Sequence, residues 1–272
     1  MKIQTALAQA TKALDEGAIA APRLTAEVLL AHALRKDRAW LYAHGADELS
    51  ELGWIHFGRY LHERLKGKPT QYITKRQEFY GRDFFVSPDV LIPRPETEHL
   101  VERALAERPG RVLDIGTGSG AIAVTLALES RREVFASDLS LAALAVARRN
   151  AADLGARVAF VQCDLGSAFA DRSFDLVVSN PPYVPAGDIA SLQREVRDWE
   201  PHLALFGGPF GHEIYGRLLA DAWRLLRAGG AVMVELGAGG AGPVTALLGG
   251  WAGVEVIPDL AGIGRVAVAQ RR

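Results

Sequence analysis

The tetrapeptide Asn180-Pro181-Pro182-Tyr183 directly follows an apolar run, residues 174–178, that is typical of a buried parallel strand. Because proline fixes φ and lacks an N–H group, Pro181 and Pro182 predict an extended loop with free carbonyls at the strand's carboxyl end, where open α/β sheets bind ligands. Asn180 adds a neutral oxygen acceptor, and Tyr183 adds a flat aromatic face. The loop therefore suits a planar group that carries NH₂, such as an amide or an aminopurine. A proline-stiffened strand exit without a ligand is the structural alternative.

A second pattern, a strand followed by a glycine-rich turn and a helix, lies over residues 111–128. Gly116, Gly118 and Gly120 allow the backbone to bend tightly and approach a ligand, and the helix after them presents unpaired N–H groups. Gly116, Gly118 and Ala121 also fit the G-x-G-x-x-A form of the dinucleotide fingerprint. The loop alone leaves open whether the ligand is a nicotinamide dinucleotide or S-adenosylmethionine.

Two carboxylates accompany the glycine-rich turn. Asp138 ends the next predicted strand, residues 133–138, about 20 residues after the glycines, which is the offset of an acid that binds ribose hydroxyls. An N-cap role for Asp138, in front of the helix that begins near Ser140, is compatible with that role. Asp114 lies among apolar residues of the preceding strand, where a carboxylate needs partners, and we expect it to brace the glycine loop or a ligand ammonium.

Together these motifs resemble those of class I S-adenosylmethionine-dependent methyltransferases that act on planar nitrogens. Residues 91–98 (LIPRPETE) and 199–201 (WEP), with 204–205 and 207–208 downstream, resemble the release-factor glutamine N5-methyltransferases more specifically. The resemblance covers essentially the whole chain, including residues 69–73 (PTQYI). Members of that family methylate the glutamine of the Gly-Gly-Gln loop in class-one peptide chain release factors. The resemblance thus implies S-adenosylmethionine as cofactor and release factors as partners.

The resemblance also implies a set of site residues. Those implied for the cofactor are Asp114, Gly116, Thr117, Gly118, Gly120, Asp138, Asp164, Leu165 and Asn180. Those implied for the substrate are Asn180, Pro181, Pro182 and Tyr183, of which Asn180, Pro181 and Tyr183 form the expected catalytic set. Some family members have an aromatic residue beside the adenine where this chain has Leu165, whose apolar side chain can still cover an adenine face.

Three other functions fit part of the pattern. An adenine N6-methyltransferase acting on DNA or RNA would methylate an exocyclic amine, whose nitrogen lone pair is delocalised as it is in an amide. Such an enzyme is expected to have a basic groove or an added recognition module. Residues 1–74 hold ten basic and eight acidic side chains, a mild excess. A dinucleotide-dependent oxidoreductase explains the glycines and Asp138 but not the Asn-Pro-Pro-Tyr segment. A scaffold that binds the methyl donor without turnover leaves Asn180 and Tyr183 unused.

The composition sets limits on partners and compartment. The 272 residues are 49% hydrophobic and 23% charged, with a net charge of -1, which favours a protein substrate over nucleic acid. Cys163 is the single cysteine, so an internal disulfide framework and a cysteine-rich zinc site are excluded. His212-Glu213 begins like a zinc-binding helix, but Gly216 occupies the second histidine position, and no metal is predicted. Without a signal peptide or an apolar run of membrane-spanning length, we expect a cytoplasmic protein.

The predicted fold class is α/β, a doubly wound, mostly parallel seven-stranded sheet with a small N-terminal helical bundle. The predicted domains are a helical substrate-recognition domain (1–74), a β-hairpin linker (75–95) and a catalytic domain (96–272). Strands are expected near 111–115, 133–138, 157–162, 174–179, 230–236, 253–257 and 264–270. The last two strands lack an intervening helix, which predicts an antiparallel closing hairpin.

Finer features follow from local patterns. Asp37 and Asp47 are predicted N-caps in the helical bundle. Trp54 and Ile55 are expected on apolar faces of its core, together with Trp40, Leu41, Tyr60 and Leu61. Residues 184–208 are expected to form a long loop that borders the substrate entrance, with Glu200 as a structural anchor.

Overall fold

The structure is a computed structural model that describes residues 1–107, 110–130, 132–259 and 261–272. The chain divides into two compact units. The first consists of Met1–Arg76 and Gln193–Trp199, and the second of Gln77–Leu192 and Glu200–Arg272. The domain boundaries given by the sequence analysis stay a prediction.

The elements follow in chain order. The first stretch contains α1 (Ile3–Glu16), α2 (Pro22–Leu34), α3 (Arg38–Ala43), α4 (Glu51–Leu65), α5 (Thr70–Thr74), β1 (Arg76–Phe79) and β2 (Arg82–Phe85). A short 3₁₀ helix (Pro95–Thr97) precedes α6 (Glu98–Ala106), β3 (Arg111–Ile115), α7 (Ala121–Glu129), β4 (Glu133–Asp138), α8 (Leu141–Leu154), β5 (Val158–Gln162) and β6 (Phe174–Ser179). The last stretch contains β7 (Val184–Pro185), a 3₁₀ helix (Ala186–Ser191), α9 (Arg194–Trp199), a 3₁₀ helix (His202–Ala204), β8 (Phe206–Gly208), α10 (Glu213–Leu225), β9 (Leu226–Glu235), α11 (Ala241–Leu247), β10 (Ala252–Pro258) and β11 (Gly264–Gln270).

The first unit is a helical bundle around an apolar core. Its largest buried side chains include Leu14, Leu29, Leu30, Leu41 and Phe57. Helix α9 belongs to this unit, and its Glu195 pairs with Arg64, whose side chain is only 6% exposed. Because a buried guanidinium without a counter-ion is costly, this pair ties the distant segment into the bundle.

Two expectations for the bundle are wrong. Asp37 does cap α3, accepting from the Trp40 N–H at 2.7 Å, but Ser50 rather than Asp47 caps α4. Trp54 and Ile55 are exposed by 42% and 58%. The reason is the phase of α4, whose buried residues are Gly53, Phe57 and Arg64, so positions 54 and 55 point away from the core.

Strands β1 and β2 form the expected hairpin. Tyr80 and Gly81 occupy its two-residue turn with φ values of 52° and 71°. Positive φ at both positions is the property of a type I′ turn, whose twist matches that of the flanking strands.

The described part of the second unit contains a seven-stranded sheet in the order β10-β11-β9-β6-β3-β4-β5. Strands β10 and β11 pair antiparallel, as do β11 and β9, whereas the pairs from β9 to β5 are parallel. The sheet is covered on both faces. In β6, Val177 packs in one layer with α10 and α11, while Leu176 and Val178 pack in the other with α6 and α7.

The predicted fold class and closing hairpin therefore agree with the structure. The expected long loop at 184–208 is instead mostly ordered into short elements, with β7 and β8 pairing in parallel. Gly207 permits this approach, since a Cβ there would lie 2.7 Å from the Tyr183 Cα. No helix in the described ranges is both long and apolar enough to cross a membrane.

Candidate active site

A cavity of about 520 Å³ lies at the carboxyl ends of β3, β4, β5 and β6, all within the second unit. Such a volume is in the range of small-molecule and cofactor sites. Its walls come from the 88–97 segment, the glycine-rich turn, the ends of β4 to β6, and residues 201–206 and 214–217. The parallel strands end together here because each is followed by a loop on the same side of the sheet.

The glycine-rich turn has the geometry of a ligand cradle. Gly116 and Gly118 have φ values of 73° and 55°, and a Cβ at either would meet no heavy atom within 4 Å. The N–H groups of Gly116 and Thr117 both donate to the Ser137 carbonyl at 2.9 Å, which fastens the turn to β4. The cavity side of the turn is therefore bare backbone that a ligand can approach closely.

Asp114 is fully buried beneath this turn. The Thr117 hydroxyl donates to its Oδ2 at 2.6 Å, while Oδ1 has no hydrogen-bond partner among the described residues. Burial raises the pKa of Asp114 to about 7, against the lowering effect of the Thr117 hydrogen bond. The predicted brace of the glycine loop is thus present in the structure, although Asp114 itself is not among the residues that line the cavity.

Asp138 lies at the end of β4 and lines the cavity. Its Oδ2 accepts from the Gly118 N–H at 2.9 Å, and its Oδ1 accepts from the Ser140 N–H at 2.8 Å. Burial raises its pKa, and hydrogen bonds from the backbone oppose that rise. Ser140, not Asp138, is the N-cap of α8. Since each carboxylate oxygen has two lone pairs, Asp138 keeps acceptor capacity for hydroxyl groups in the cavity.

The Asn-Pro-Pro-Tyr segment divides between the cavity and the protein interior. Asn180 and Pro182 line the cavity, and Pro181 and Tyr183 do not. The Asn180 Nδ2 donates to the Thr97 Oγ1 at 3.2 Å. The ring of Tyr183 is packed so closely on Gly237 that a Cβ at residue 237 would lie 2.6 Å from its Cδ2. Burial raises the pKa of Tyr183 to about 12, so its phenol is neutral at physiological pH.

The loop after β5 places Asp164 and Leu165 on the cavity wall. Asp164 pairs with Arg217 at 2.5 Å, and both side chains are more than half exposed. Leu165 has a φ of 50°, and its carbonyl accepts from the Ser137 hydroxyl at 2.8 Å. The unusual backbone of Leu165 is thus fixed by a buried serine next to the glycine-rich turn.

Glu200 anchors the 88–97 segment of the cavity wall. Its carboxylate accepts from the Arg94 Nη2 at 2.5 Å and from the Ile92 N–H at 3.1 Å, and its side chain is only 1% exposed. These contacts hold the 88–97 wall of the cavity against residues 201–206.

Sequence reasoning missed Thr97, Glu235 and Asn150. Asn150 of α8 links the glycine-rich turn to the end of β2: its Nδ2 donates to the Ser119 carbonyl at 2.8 Å and to the Phe85 carbonyl at 3.0 Å. Glu235 ends β9 and is buried. A polar residue at the end of a predicted strand was the available signal for Glu235. No cluster of three metal-ligating side chains occurs in the ranges that the structure describes.

Solved structures share this fold. A methyltransferase from Pyrococcus furiosus superposes with a TM-score of 0.55 and 20% identity, covering 79% of this chain and 98% of that one. A 16S rRNA N2 G1207 methyltransferase from T. thermophilus superposes with a TM-score of 0.53 and 20% identity, covering 72% and 50%. The chain therefore has the Rossmann-like class of fold that these two methyltransferases have.

Sequence relatives give the particular family. The PrmC N-terminal domain matches residues 5–74, and the Methyltransferase small domain matches residues 95–197. The release factor glutamine methyltransferase of Koribacter versatilis is 46% identical over 100% of this chain and 99% of its own length. Those of Neisseria gonorrhoeae and Moorella thermoacetica are 44% and 41% identical, covering 92% and 100% of this chain and 93% and 99% of their own lengths. The chain belongs to the release factor glutamine methyltransferase family, which confirms the family predicted from the sequence.

Proposed function

We propose that this enzyme transfers a methyl group from S-adenosylmethionine to the side-chain nitrogen of the glutamine in the Gly-Gly-Gln loop of class-one peptide chain release factors. The observation that carries the proposal is the position of Asn180. Its neutral amide lines the cavity that also contains the glycine-rich turn and Asp138. The predicted enzyme class and methyl donor agree with membership of this family, which does not favour an adenine methyltransferase or an oxidoreductase.

The cavity residues fit S-adenosylmethionine. Asp138 retains lone pairs for the ribose hydroxyls, and the bare backbone of Gly116 and Gly118 admits a close ligand. Asp114 braces the same turn through Thr117, and a cationic group of the ligand near the turn would favour the ionised form of Asp114. Leu165 offers an apolar surface for the adenine, and Asp164 stays a candidate contact on that wall. When bound, S-adenosylmethionine supplies an electrophilic methyl group on a sulfonium centre.

The acceptor is a carboxamide nitrogen, whose lone pair is delocalised into its carbonyl. In the proposed mechanism the Asn180 Oδ1, at the cavity wall, accepts one amide hydrogen, and the carbonyl of Pro181, which follows Asn180 but is not itself part of the lining, accepts the other. These contacts orient the nitrogen towards the methyl group and stabilise the positive charge that develops on it. As the N–C bond forms, the bond from the methyl carbon to sulfur breaks, and the cationic N-methyl amide, a strong acid, then releases its extra proton to water. Tyr183 supports this loop by packing its ring on Gly237 behind the cavity.

Positioning supplies most of the rate enhancement in this mechanism. A near-attack geometry can lower a barrier by ~7 to 11 kcal/mol, so a strong base is not required. A neutral asparagine at the centre of the site is consistent with that mode of catalysis, because it supplies acceptors without taking a proton.

The first unit is proposed to recognise the release factor, as the family resemblance implies. A substrate that acts in translation places the enzyme in the cytoplasm. Direct binding of nucleic acid is not expected, since the net charge of -1 provides no general attraction for phosphates.

Transfer of labelled methyl from S-adenosylmethionine to purified release factor tests the proposal. The acceptors are the native factor, a factor with Gln→Ala in its Gly-Gly-Gln loop, duplex DNA and RNA. Label is expected on the native loop alone, and Asn180→Ala is expected to reduce kcat by about 10²- to 10³-fold. Calorimetric binding of S-adenosylmethionine to Asn180→Ala should stay within a few-fold of wild type.

Two results would contradict the proposal. Label on nucleic acid would replace the glutamine amide by an adenine amine as acceptor. Near-native turnover of Asn180→Ala at saturating substrate would remove Asn180 from the mechanism.

A further inference from the structure

Two buried polar residues lie next to Asn180: Thr97 also lines the cavity, whereas Glu235 does not. Thr97 ends the 3₁₀ helix before α6, and Glu235 ends β9; their exposed fractions are 4% and 3%. Strands β6 and β9 are parallel neighbours, with Ser179 opposite Val234. Asn180 directly follows β6, and Glu235 is the last residue of β9, so the two residues are neighbours at this edge of the sheet.

The hydrogen bond between Asn180 and Thr97 has a defined donor and acceptor. The Asn180 Nδ2 donates to the Thr97 Oγ1 at 3.2 Å, so the threonine oxygen acts as acceptor towards Asn180. The threonine hydroxyl has a single hydrogen of its own. Glu235 adds a buried carboxyl group next to Asn180: Thr97 lowers the pKa of this group, and its Oε2 has no hydrogen-bond partner among the described residues. When ionised, a carboxylate only accepts, so it takes the threonine hydrogen and leaves the threonine lone pairs for Asn180.

We propose that Thr97 and Glu235 are positioning residues that fix the orientation of the Asn180 amide, with its NH₂ group held by the protein and its Oδ1 presented to the acceptor nitrogen. This inference rests on the proposed function. The two ends of an asparagine amide are nearly equal in size, so shape alone does not select one orientation. A flipped Asn180 would present NH₂ to the substrate NH₂, donor against donor, and the substrate amide would lose its acceptor.

The protonation state of Glu235 decides which way the hydrogen bonds run between Glu235, Thr97 and Asn180. Burial raises the pKa of Glu235 to about 7. The interaction with Thr97 lowers this pKa, the negative charge of Glu96 raises it, and the positive charges of Arg265 and Arg94 lower it. The other titratable groups facing it are Tyr183 and Tyr215, whose pKa values are raised by burial, and the Tyr215 hydroxyl donates to the Glu235 backbone carbonyl at 2.7 Å. A protonated Glu235 could donate to Thr97, which would then donate to Asn180 and favour the flipped amide. The kcat of the wild type should therefore rise with pH through about 7.

The kinetic test uses the full-length enzyme with native release factor. Thr97→Val keeps the shape but removes the hydroxyl, and kcat should fall about tenfold, the value of one neutral hydrogen bond. The Kd of S-adenosylmethionine should stay within about twofold, and Thr97→Ser should restore most of kcat. Glu235→Gln should also lower kcat and abolish its rise near pH 7, because glutamine does not titrate. The matched control is Thr125→Val, which removes a buried hydroxyl that has no hydrogen-bond partner among the described residues.

A spectroscopic test reports the orientation of the Asn180 amide independently of any activity measurement. The chain contains two asparagines, Asn150 and Asn180, so protein labelled with ¹⁵N in asparagine side chains gives two NH₂ signals. Asn150 is the internal reference, because its Nδ2 donates to the carbonyls of Phe85 and Ser119. The Asn180 signal should shift in Thr97→Val and during titration of Glu235, while the Asn150 signal stays in place.

The outcomes separate the two proposals. A wild-type enzyme that leaves release factor unlabelled contradicts the proposed function, and the NH₂ signals still decide the orientation of Asn180. An active wild type with unchanged kcat in Thr97→Val overturns the positioning role. Equal losses of kcat in Thr97→Val and Thr125→Val also overturn it, since any lost hydroxyl would then have the same effect.

Discussion

The Asp138 carboxylate accepts a hydrogen bond from the Gly118 N–H at 2.9 Å. The acid at the end of β4 therefore sets the conformation of the glycine-rich turn as well as facing the cavity. Because Ser140 donates to the other oxygen at 2.8 Å, the carboxylate has a fixed orientation. The proposed ribose contact is thus assembled before a ligand binds, which lowers the ordering cost of binding.

Asp138→Asn should weaken binding of S-adenosylmethionine about tenfold or more. The amide keeps one oxygen but places an NH₂ group against the N–H of Gly118 or Ser140, and it loses a charge-assisted contact to the ribose. Isothermal titration calorimetry measures the Kd. Asp153→Asn is the control, because Asp153 lies exposed on α8 and pairs only with Arg149 among its described contacts. Equal affinities for Asp138→Asn and wild type would refute the ribose assignment.

Asp114 makes stability depend on pH. Its native pKa of about 7 lies above the ordinary value of 3.8, so the native state holds a proton that the unfolded state releases. The associated stability is fully present below pH 3.8 and is lost as pH rises through 7. Asp114→Asn lacks this pH-dependent loss of stability, because an asparagine side chain does not titrate. The unfolding free energy of the variant relative to wild type should therefore rise by about 1–3 kcal/mol between pH 4 and pH 8.

Urea denaturation at a series of pH values checks this expectation. The difference between variant and wild type is the relevant quantity, because other acids, such as Glu27 with its lowered pKa, contribute the opposite slope to both proteins. A difference that is independent of pH would show that Asp114 is ionised in the native state throughout the range.

Glu200→Gln should destabilise the protein by about 1–3 kcal/mol and weaken binding of S-adenosylmethionine. The substitution leaves the Arg94 guanidinium without its buried counter-charge and loosens the 88–97 wall of the cavity. Thermal denaturation and calorimetry measure the two effects. Glu133→Gln is the matched control, since its pair with Arg111 is 60% exposed on the glutamate side and should contribute under about 1 kcal/mol. Equal shifts in both variants would count against a special role for Glu200.

Tyr183 should tolerate loss of its hydroxyl but not displacement of its ring. With a pKa of about 12 the phenol stays neutral between pH 6 and 9, so Tyr183→Phe should keep kcat within about threefold and leave its pH profile unchanged. Gly237→Ala should reduce kcat more strongly, because the new methyl group would lie 2.6 Å from the Tyr183 ring. Steady-state methyl transfer measures both variants. A larger loss in Tyr183→Phe than in Gly237→Ala would assign the hydroxyl a direct role.

The parts of the site that follow one strand were predictable from the sequence. Gly116, Gly118 and Asp138 can be recognised in the sequence because a strand, a turn and a helix follow one another along the chain. Asn180 is recognisable for the same reason. Thr97 and Glu235 are not, because Glu235 comes next to Asn180 only through the order of strands β6 and β9, and Thr97 comes from a 3₁₀ helix more than eighty residues earlier in the chain.

The helical bundle shows a second limit. Composition indicates amphipathic helices, but the buried side of α4 is set by Gly53 and Phe57, and its start by Ser50. Because the buried face of α4 contains positions 53 and 57, the neighbouring Trp54 and Ile55 point towards solvent. Apolar residue type alone therefore does not settle which residues a short helix buries.

The pairing of Arg64 with Glu195 has a consequence for domain engineering. A fragment that ends at Arg76 would carry a buried cation whose counter-ion is encoded more than a hundred residues later. Exchanging the first unit between relatives would therefore require splice junctions on both sides of α9 as well as one near Arg76. Modularity in this chain is a property of its three-dimensional contacts and does not coincide with a single cut in the gene.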